Sequence, residues 1–189
     1  MKKLLTLILF LAIAATAFSK SVNHMKFMGI PINGTITQFQ AKLTAKGCTH
    51  DKRTSSYIPS GTRAFKGNIV GNKATIFVYY NTKTKIVYRV KAVINGLTKD
   101  IAELKHQQIK SLLSIKYDIA DTDSNDYGEV VEFTPAADDA EDKTYGRIDL
   151  YISKDAEDWI NSPYNYNIHI DYYDAYNSLR NDMQQLDEL

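Results

Sequence analysis

Cysteine is almost missing from this sequence. Cys48 is the only one in 189 residues, so the chain cannot form an intramolecular disulfide. This excludes the class of small exported proteins that are held together by disulfides, and packing has to supply the stability. Because Cys48 follows Gly47, a residue typical of a helix end, we expect a buried and unreactive side chain rather than a thiol nucleophile paired with His50.

An excess of charge of one sign is missing as well. The chain carries 23 lysine and arginine residues against 22 aspartate and glutamate residues. This balance gives no electrostatic reason to bind nucleic acid, so we expect no such partner. The sequence also lacks the patterns of a phosphate-binding loop, a dinucleotide site, a serine-hydrolase elbow and a zinc-binding helix, and we therefore expect no cofactor.

Long apolar runs are confined to the N-terminus. Two lysines precede the apolar stretch Leu4–Ala14, which is too short to span a bilayer, and small residues follow at 15–17. We predict a bacterial signal peptide over residues 1–17 and export to the periplasm or the extracellular space. The mature chain, 18–189, keeps 21 basic and 22 acidic residues, and it has no run long enough for us to expect membrane insertion.

What the chain does contain is one order of elements used twice. A unit at about 24–96 has a helix followed by three strands, a second unit at about 97–174 repeats that order, and a C-terminal helix covers 175–187. The predicted elements are helices at 35–47, 99–117 and 175–187, and strands at 63–70, 74–80, 85–94, 129–134, 145–153 and 166–173. Strands joined by short turns pair antiparallel. We therefore predict a single α+β domain over 18–189, with helices packed on one face of an antiparallel sheet.

Apolar periodicity predicts which sides of the two later helices are buried. In the helix of the second unit, the predicted buried stripe is Ile101, Leu104, Ile109, Leu112, Leu113 and Tyr117. In the C-terminal helix, it is Tyr176, Leu179, Met183 and Leu186. We expect His106, which lies among polar neighbours, to be exposed.

Several stretches of the chain resemble a known family. These are Met25–Ile36 with Phe39, Leu43 and Lys46–Gly47 after it, the strand Val87–Val90, and the helix end from Leu112 to Tyr117. Together they resemble a family of small secreted proteins from gut anaerobic bacteria over most of the mature chain. That family has no established activity, so the resemblance implies no functional residues. The doubled order of helix and strands is also similar to that of the beta-lactamase inhibitory proteins, which implies partner binding on a concave sheet.

Tyrosine is the over-used residue, with 13 copies against seven phenylalanines and one tryptophan, and many of the tyrosines fall in strands. Because side chains alternate across a strand, every second residue of these strands points to the side away from the helices. The predicted open face holds Phe77, Tyr79, Arg89, Lys91, Arg147, Tyr151, His169 and Tyr173. Aromatic and arginine side chains anchor interfaces, and the rings also stack on sugars. The leading hypothesis is therefore an exported, non-enzymatic binding module for a protein or glycan; cross-strand stabilisation is the simpler interpretation of the same residues.

Two other functions stay open. His169 and Asp171 occupy same-face positions, as a base and its orienting carboxylate would in an extracellular hydrolase, although no nucleophile is placed beside them. Asp121, Asp123, Asn125 and Glu132 have the spacing of a calcium loop, which would suit a structural or calcium-tuned envelope protein. Asp126, however, stands where such a loop needs glycine, and a strand follows. A solvated acidic connection at 118–127 explains these residues better.

Overall fold

The computed structural model describes residues 23–135, 145–155 and 163–186, so the predicted signal peptide and most of the acidic turn at 135–143 lie outside the described residues. The elements in these ranges are β1 (Lys26–Phe27), β2 (Ile30–Pro31), α1 (Ile36–Ala45), β3 (Thr49–His50), α2 (Lys52–Ser55), β4 (Thr62–Ile69), β5 (Asn72–Tyr80), β6 (Val87–Leu97), α3 (Lys99–Leu113), β7 (Tyr117–Asn125), β8 (Gly128–Pro135), β9 (Gly146–Lys154), β10 (Tyr166–Asp174) and α4 (Ala175–Leu186). The helix and strand content confirms the α+β class.

Eight of the strands form one antiparallel sheet in the order β3-β4-β5-β6-β10-β9-β8-β7, while β1 and β2 form a separate hairpin. The two predicted units meet where β6 pairs with β10, in a register that runs from Arg89 opposite Tyr173 to Leu97 opposite Tyr166. The sheet therefore continues across the boundary between the units. No helix in the described part of the chain is long and apolar enough to cross a membrane.

One side of the sheet carries the core. Ile148 and Leu150 of β9 are fully buried, as are Ile168 and Ile170 of β10, and this confirms the predicted alternation in both strands. Val87 departs from the pattern: alternation with Arg89 and Lys91 would place it on the open side of the sheet, yet it is fully buried. A bulge is the reason: Tyr79 lies opposite Arg89 while Tyr80 lies opposite Val87, which changes the parity of β6 at its start.

The ends of α1 follow the predicted local chemistry. The Thr35 side chain accepts from the Gln38 N–H at 3.4 Å, and the Gln38 side chain accepts from the Thr35 N–H at 2.9 Å, which completes a capping box. Gly47 ends the helix at a φ of +85°, where a side chain would strain the backbone. Cys48 then turns inward and is buried. Burial raises the pKa of its thiol, in line with an unreactive side chain.

The predicted loop at 118–127 is wrong, since most of it forms β7. This strand pairs with β8 from Tyr117 opposite Pro135 to Asn125 opposite Gly128. Its residues 118–125 are exposed on both sides of the strand. A strand with no buried side has no alternation of apolar and polar residues. The aspartates of β7 are also typical of turns, so its sequence has the composition of a loop.

The buried side of α3 also differs from the prediction. Ala102, His106 and Ile109 are buried, whereas Ile101, Leu104 and Leu112 are exposed. His106, expected in solvent, is only 2% exposed. Small Ala102 and polar His106 fall on the side that meets β8, β9 and β10, so the contact surface does not coincide with the most apolar side of the helix.

The prediction for α4 is wrong as well. Tyr176, Leu179, Met183 and Leu186 are exposed by 48%, 63%, 59% and 67%, and the buried residues are Asn177 and Asn181. The helix begins directly after β10, where Asp174 caps it by accepting from the Asn177 N–H at 2.9 Å. This junction sets the rotation of α4 and turns its asparagines toward the sheet. Asn177 Nδ2 donates to the Ile32 and Val87 carbonyl oxygens at 2.9 and 3.2 Å, so polar groups rather than apolar area hold the helix.

Candidate functional site

The eight side chains predicted for the open face lie on one face of the sheet. Cross-strand registers align them in three rows: Tyr79, Arg89, Tyr173 and Arg147; Phe77 and Lys91; and His169 and Tyr151. Seven are half-buried and Arg147 is exposed. This face is opposite the side on which α1 and α3 cover the apolar core. We call it the open face.

The first row is a ladder of alternating rings and guanidinium groups across β5, β6, β10 and β9. The Arg89 guanidinium carbon lies 4.7 Å from the centre of the Tyr79 ring and 4.6 Å from that of Tyr173. Arg147 lies 4.7 Å from the centre of the Tyr173 ring. These distances are within the range of cation–π attraction, so each side chain restrains its neighbour.

A buried carboxylate fixes the middle of this row. Asp171 is 1% exposed and accepts two bonds from Arg89, from Nε at 2.8 Å and from Nη2 at 2.5 Å. The Tyr173 hydroxyl donates to the same carboxylate at 3.3 Å. The bidentate bond raises the pKa of Arg89, and burial with the Asp171 charge raises the pKa of Tyr173 to about 12. Arg89 is therefore an anchored part of the face.

Acidic side chains border the exposed end of the row. Arg147 Nε lies 3.3 Å from Asp149 Oδ1, and Arg147 Nη1 lies 3.7 Å from Glu132 Oε2. Burial raises the pKa of Asp149, while the Arg147 charge opposes the rise. Arg147 is 49% exposed, so its pairs lie in contact with water and hold it less firmly than Asp171 holds Arg89.

The residues proposed for calcium binding are not gathered around a common centre. Asp121, Asp123 and Asn125 lie on β7, and each accepts a hydrogen bond from a nearby backbone N–H, while Glu132 lies on β8 and pairs with Arg147. Within the described ranges, no three histidine, cysteine, aspartate or glutamate side chains converge as metal ligands would.

His169 does not pair with Asp171 in the way a base pairs with its orienting carboxylate. Its Nε2 instead lies 2.6 Å from the Ser153 hydroxyl, and its ring stacks on Tyr151 at 4.6 Å between centres. Nδ1 is buried and has no hydrogen-bond partner among the described residues. Burial, with a smaller contribution from the Lys91 charge, lowers the pKa of His169 to about 4, so the ring is neutral at physiological pH.

A pocket of about 500 Å³ opens beside His169, and we call it the His169 pocket. Its lining is Ile58, Pro59, Thr62, Phe77, Tyr79, Lys91, Val93, Asn95, Ser153, Asp155, Asn167 and His169. The volume lies within the range of small-ligand sites. Lys91 Nζ donates to the Tyr151 hydroxyl at 2.8 Å, and Asn167 Nδ2 donates to Asp155 Oδ1 at 2.8 Å, so side-chain bonds order two parts of the wall.

The sequence prediction found four of these lining residues, Phe77, Tyr79, Lys91 and His169. Ser153 and Asn167 were missed, although alternation could have found them. Ser153 lies two residues from Tyr151 and Asn167 two residues from His169, so both point to the same face, and Ser153 pairs with Asn167 across β9 and β10. Ile58 and Pro59 gave no such signal, because they come from the segment before β4 and reach the pocket only through the folded sheet.

Comparisons of this chain with protein-family models, curated proteins and solved structures find no match. The resemblance to small secreted proteins of gut anaerobes and the similarity to beta-lactamase inhibitory proteins therefore stay predictions. The case for a function is made by the geometry of the open face.

Proposed function

We propose that this chain is an exported, non-enzymatic binding module that holds its partner on the open face. The observation that carries the proposal is the alignment of eight aromatic, basic and imidazole side chains from four neighbouring strands, opposite the helix-covered core. Their mixture of rings and cations is typical of the anchor positions in interfaces.

Preorganisation of the face supports this function. The Arg89–Asp171 bonds, the Tyr–Arg ladder and the Lys91–Tyr151 bond restrain long side chains before any partner arrives. Binding then costs less side-chain entropy, which favours affinity. Cross-strand stabilisation alone would need these contacts, but it would not need the pocket beside them.

A hydrolase is the second candidate, and the contact between Ser153 and His169 favours it. The serine hydroxyl is 2.6 Å from Nε2, as a nucleophile would be from its base. Against it, Nδ1 has no orienting partner in the described residues, and a histidine whose pKa is about 4 is a weak base. Hydrolysis of p-nitrophenyl acetate above background, lost in Ser153→Ala, would favour the hydrolase.

The binding proposal is tested by capture with the mature chain, residues 18–189. The wild type and the variant Arg147→Ala/Tyr151→Ala are immobilised and exposed to envelope extract and culture medium of the producing cell. Because both substituted side chains belong to the open face, we expect the wild type to retain a component that the variant loses.

A matched control replaces an exposed side chain on the helix side of the sheet. Leu104 of α3 is 67% exposed, so Leu104→Ser keeps the fold and leaves the open face unchanged. Capture should be the same for this control as for the wild type. Equal capture by all three proteins, or loss in the control alone, would show that the open face is not the binding surface.

A further inference from the structure

We infer that the His169 pocket binds an uncharged saccharide, an inference that rests on the proposed function and names the ligand class of its site. The lining combines two surfaces. Phe77, Tyr79 and Val93 supply ring and aliphatic area, and a surrounding set of polar side chains supplies donors and acceptors. A sugar ring has the same two kinds of surface, with C–H groups on its faces and hydroxyl groups around its edge.

The charge of the lining disfavours an anionic ligand. Among the lining residues, Lys91 and Asp155 are the charged ones, and they have opposite signs. The Lys91 ammonium already donates to the Tyr151 hydroxyl at 2.8 Å. A phosphate or acidic sugar would meet the Asp155 carboxylate with no surplus of positive charge, whereas a neutral ligand meets no such penalty.

Polar lining groups also argue against an apolar anchor from a protein. Thr62, Asn95 and Asp155 would lose water to such an anchor and gain no hydrogen bond in return, while Ser153 and Asn167 already bond to His169 and Asp155. Saccharide hydroxyl groups both donate and accept, so they replace that water. A peptide backbone finds no free strand edge here either, because β5, β6, β9 and β10 each have a neighbour on both sides.

The test is a titration of the ¹⁵N-labelled mature chain, residues 18–189, followed by two-dimensional NMR. The probes are the neutral trisaccharides maltotriose, cellotriose and chitotriose, with 3′-sialyllactose as the acidic comparison. At least one neutral trisaccharide should shift amide signals of β5, β6 and β10 around Phe77, Asn95 and Asn167. The acidic comparison should bind about tenfold more weakly or not at all.

Two variants and a control locate the binding. Phe77→Ala removes the ring and should weaken affinity about tenfold or more, and Asn95→Leu removes an exposed amide of similar size and should also weaken it. Leu104→Ser, on the helix side of the sheet and away from the pocket, should change affinity less than about twofold. Circular dichroism melts check that each variant is folded, and Asn95→Leu keeps the test valid if Phe77→Ala unfolds.

Three results would overturn the inference: no shift with any neutral trisaccharide at millimolar concentration, shifts confined to residues outside the pocket, or tighter binding of 3′-sialyllactose. A glycan-free protein captured through the open face that shifts the same pocket amides would also overturn it. In that case the proposed binding function would stand and only the ligand class would be wrong.

Discussion

Asp171 is a charge buried in the middle of the sheet face that carries the proposed site. It sits opposite Lys91 on β6 and Asp149 on β9, yet its oxygens bond to Arg89 and Tyr173 from the neighbouring row. A buried carboxylate is stable only when such partners replace its water. The first row of the open face thus depends on this ion pair for its order, and the ladder of rings is built around that pair.

Removing one partner of this pair should be costly. We expect Arg89→Ala to lower the free energy of unfolding by about 3 kcal/mol, because it leaves Asp171 buried without its cation. Arg147→Ala is the matched control: its pairs are exposed, and it should cost at most about 1 kcal/mol. Urea unfolding measures both. Similar losses for the two variants would mean that Asp171 finds water when Arg89 is gone.

The burial of His169 predicts how stability depends on pH. The folded-state pKa of about 4 lies below the value near 6.5 of an exposed histidine. Between these values the unfolded chain binds more protons than the folded one, so the stability due to neutral His169 is present above pH 6.5 and is lost as pH falls toward 4.

Two measurements check this dependence. The imidazole signals of His169 should titrate near pH 4, and the loss of stability between pH 7 and pH 4.5 should be smaller in His169→Gln than in the wild type. Burial also lowers the pKa of His106. His106 is present in both proteins, so its effect on stability cancels when the two losses are compared. A His169 midpoint near pH 6.5 would contradict the prediction.

At the scale of elements, side-chain alternation predicted the open face because its strands are central and have one buried side. The same reasoning failed for β7, whose two sides are both exposed, and for α3 and α4. Apolar periodicity ranks the sides of a helix by hydrophobicity. It carries no information on backbone carbonyls elsewhere in the chain that need donors, and such carbonyls, at Ile32 and Val87, face α4.

The inverted side preference of α4 can be tested directly. We expect Asn177→Ala to lower the free energy of unfolding by about 1–3 kcal/mol, because it leaves the Ile32 and Val87 carbonyls without a donor in a buried position. Leu179→Ser, on the exposed side, should change stability by no more than about 0.5 kcal/mol. Urea unfolding measures the stability of both variants. A larger loss for Leu179→Ser than for Asn177→Ala would support the buried side predicted from apolar periodicity.

On the scale of the whole molecule, contacts across the boundary between the two units tie them together. β6 of the first unit pairs with β10 of the second, and Asn177 of α4 bonds to carbonyls of the first unit. Asp174 accepts from the Met25 N–H and bonds to the His24 ring, both at 3.0 Å. Element order along the chain suggested a repeat, but these contacts join residues about 70 to 150 positions apart, so no local pattern could predict them.

These shared contacts predict that the units do not fold separately. The fragment 18–96 would expose the β6 edge that β10 covers, together with the apolar side of a half sheet, and it would lose the donors supplied by α4. We therefore expect narrow amide dispersion in its NMR spectrum. The chain 18–189 should unfold in urea in one transition, with coincident midpoints by far-ultraviolet circular dichroism and intrinsic fluorescence. A well-dispersed spectrum of 18–96, or two separated transitions, would mean that the β6–β10 junction joins two independent halves. The open face takes Arg89 from one half and Asp171 from the other, so it would then be only as stable as that junction.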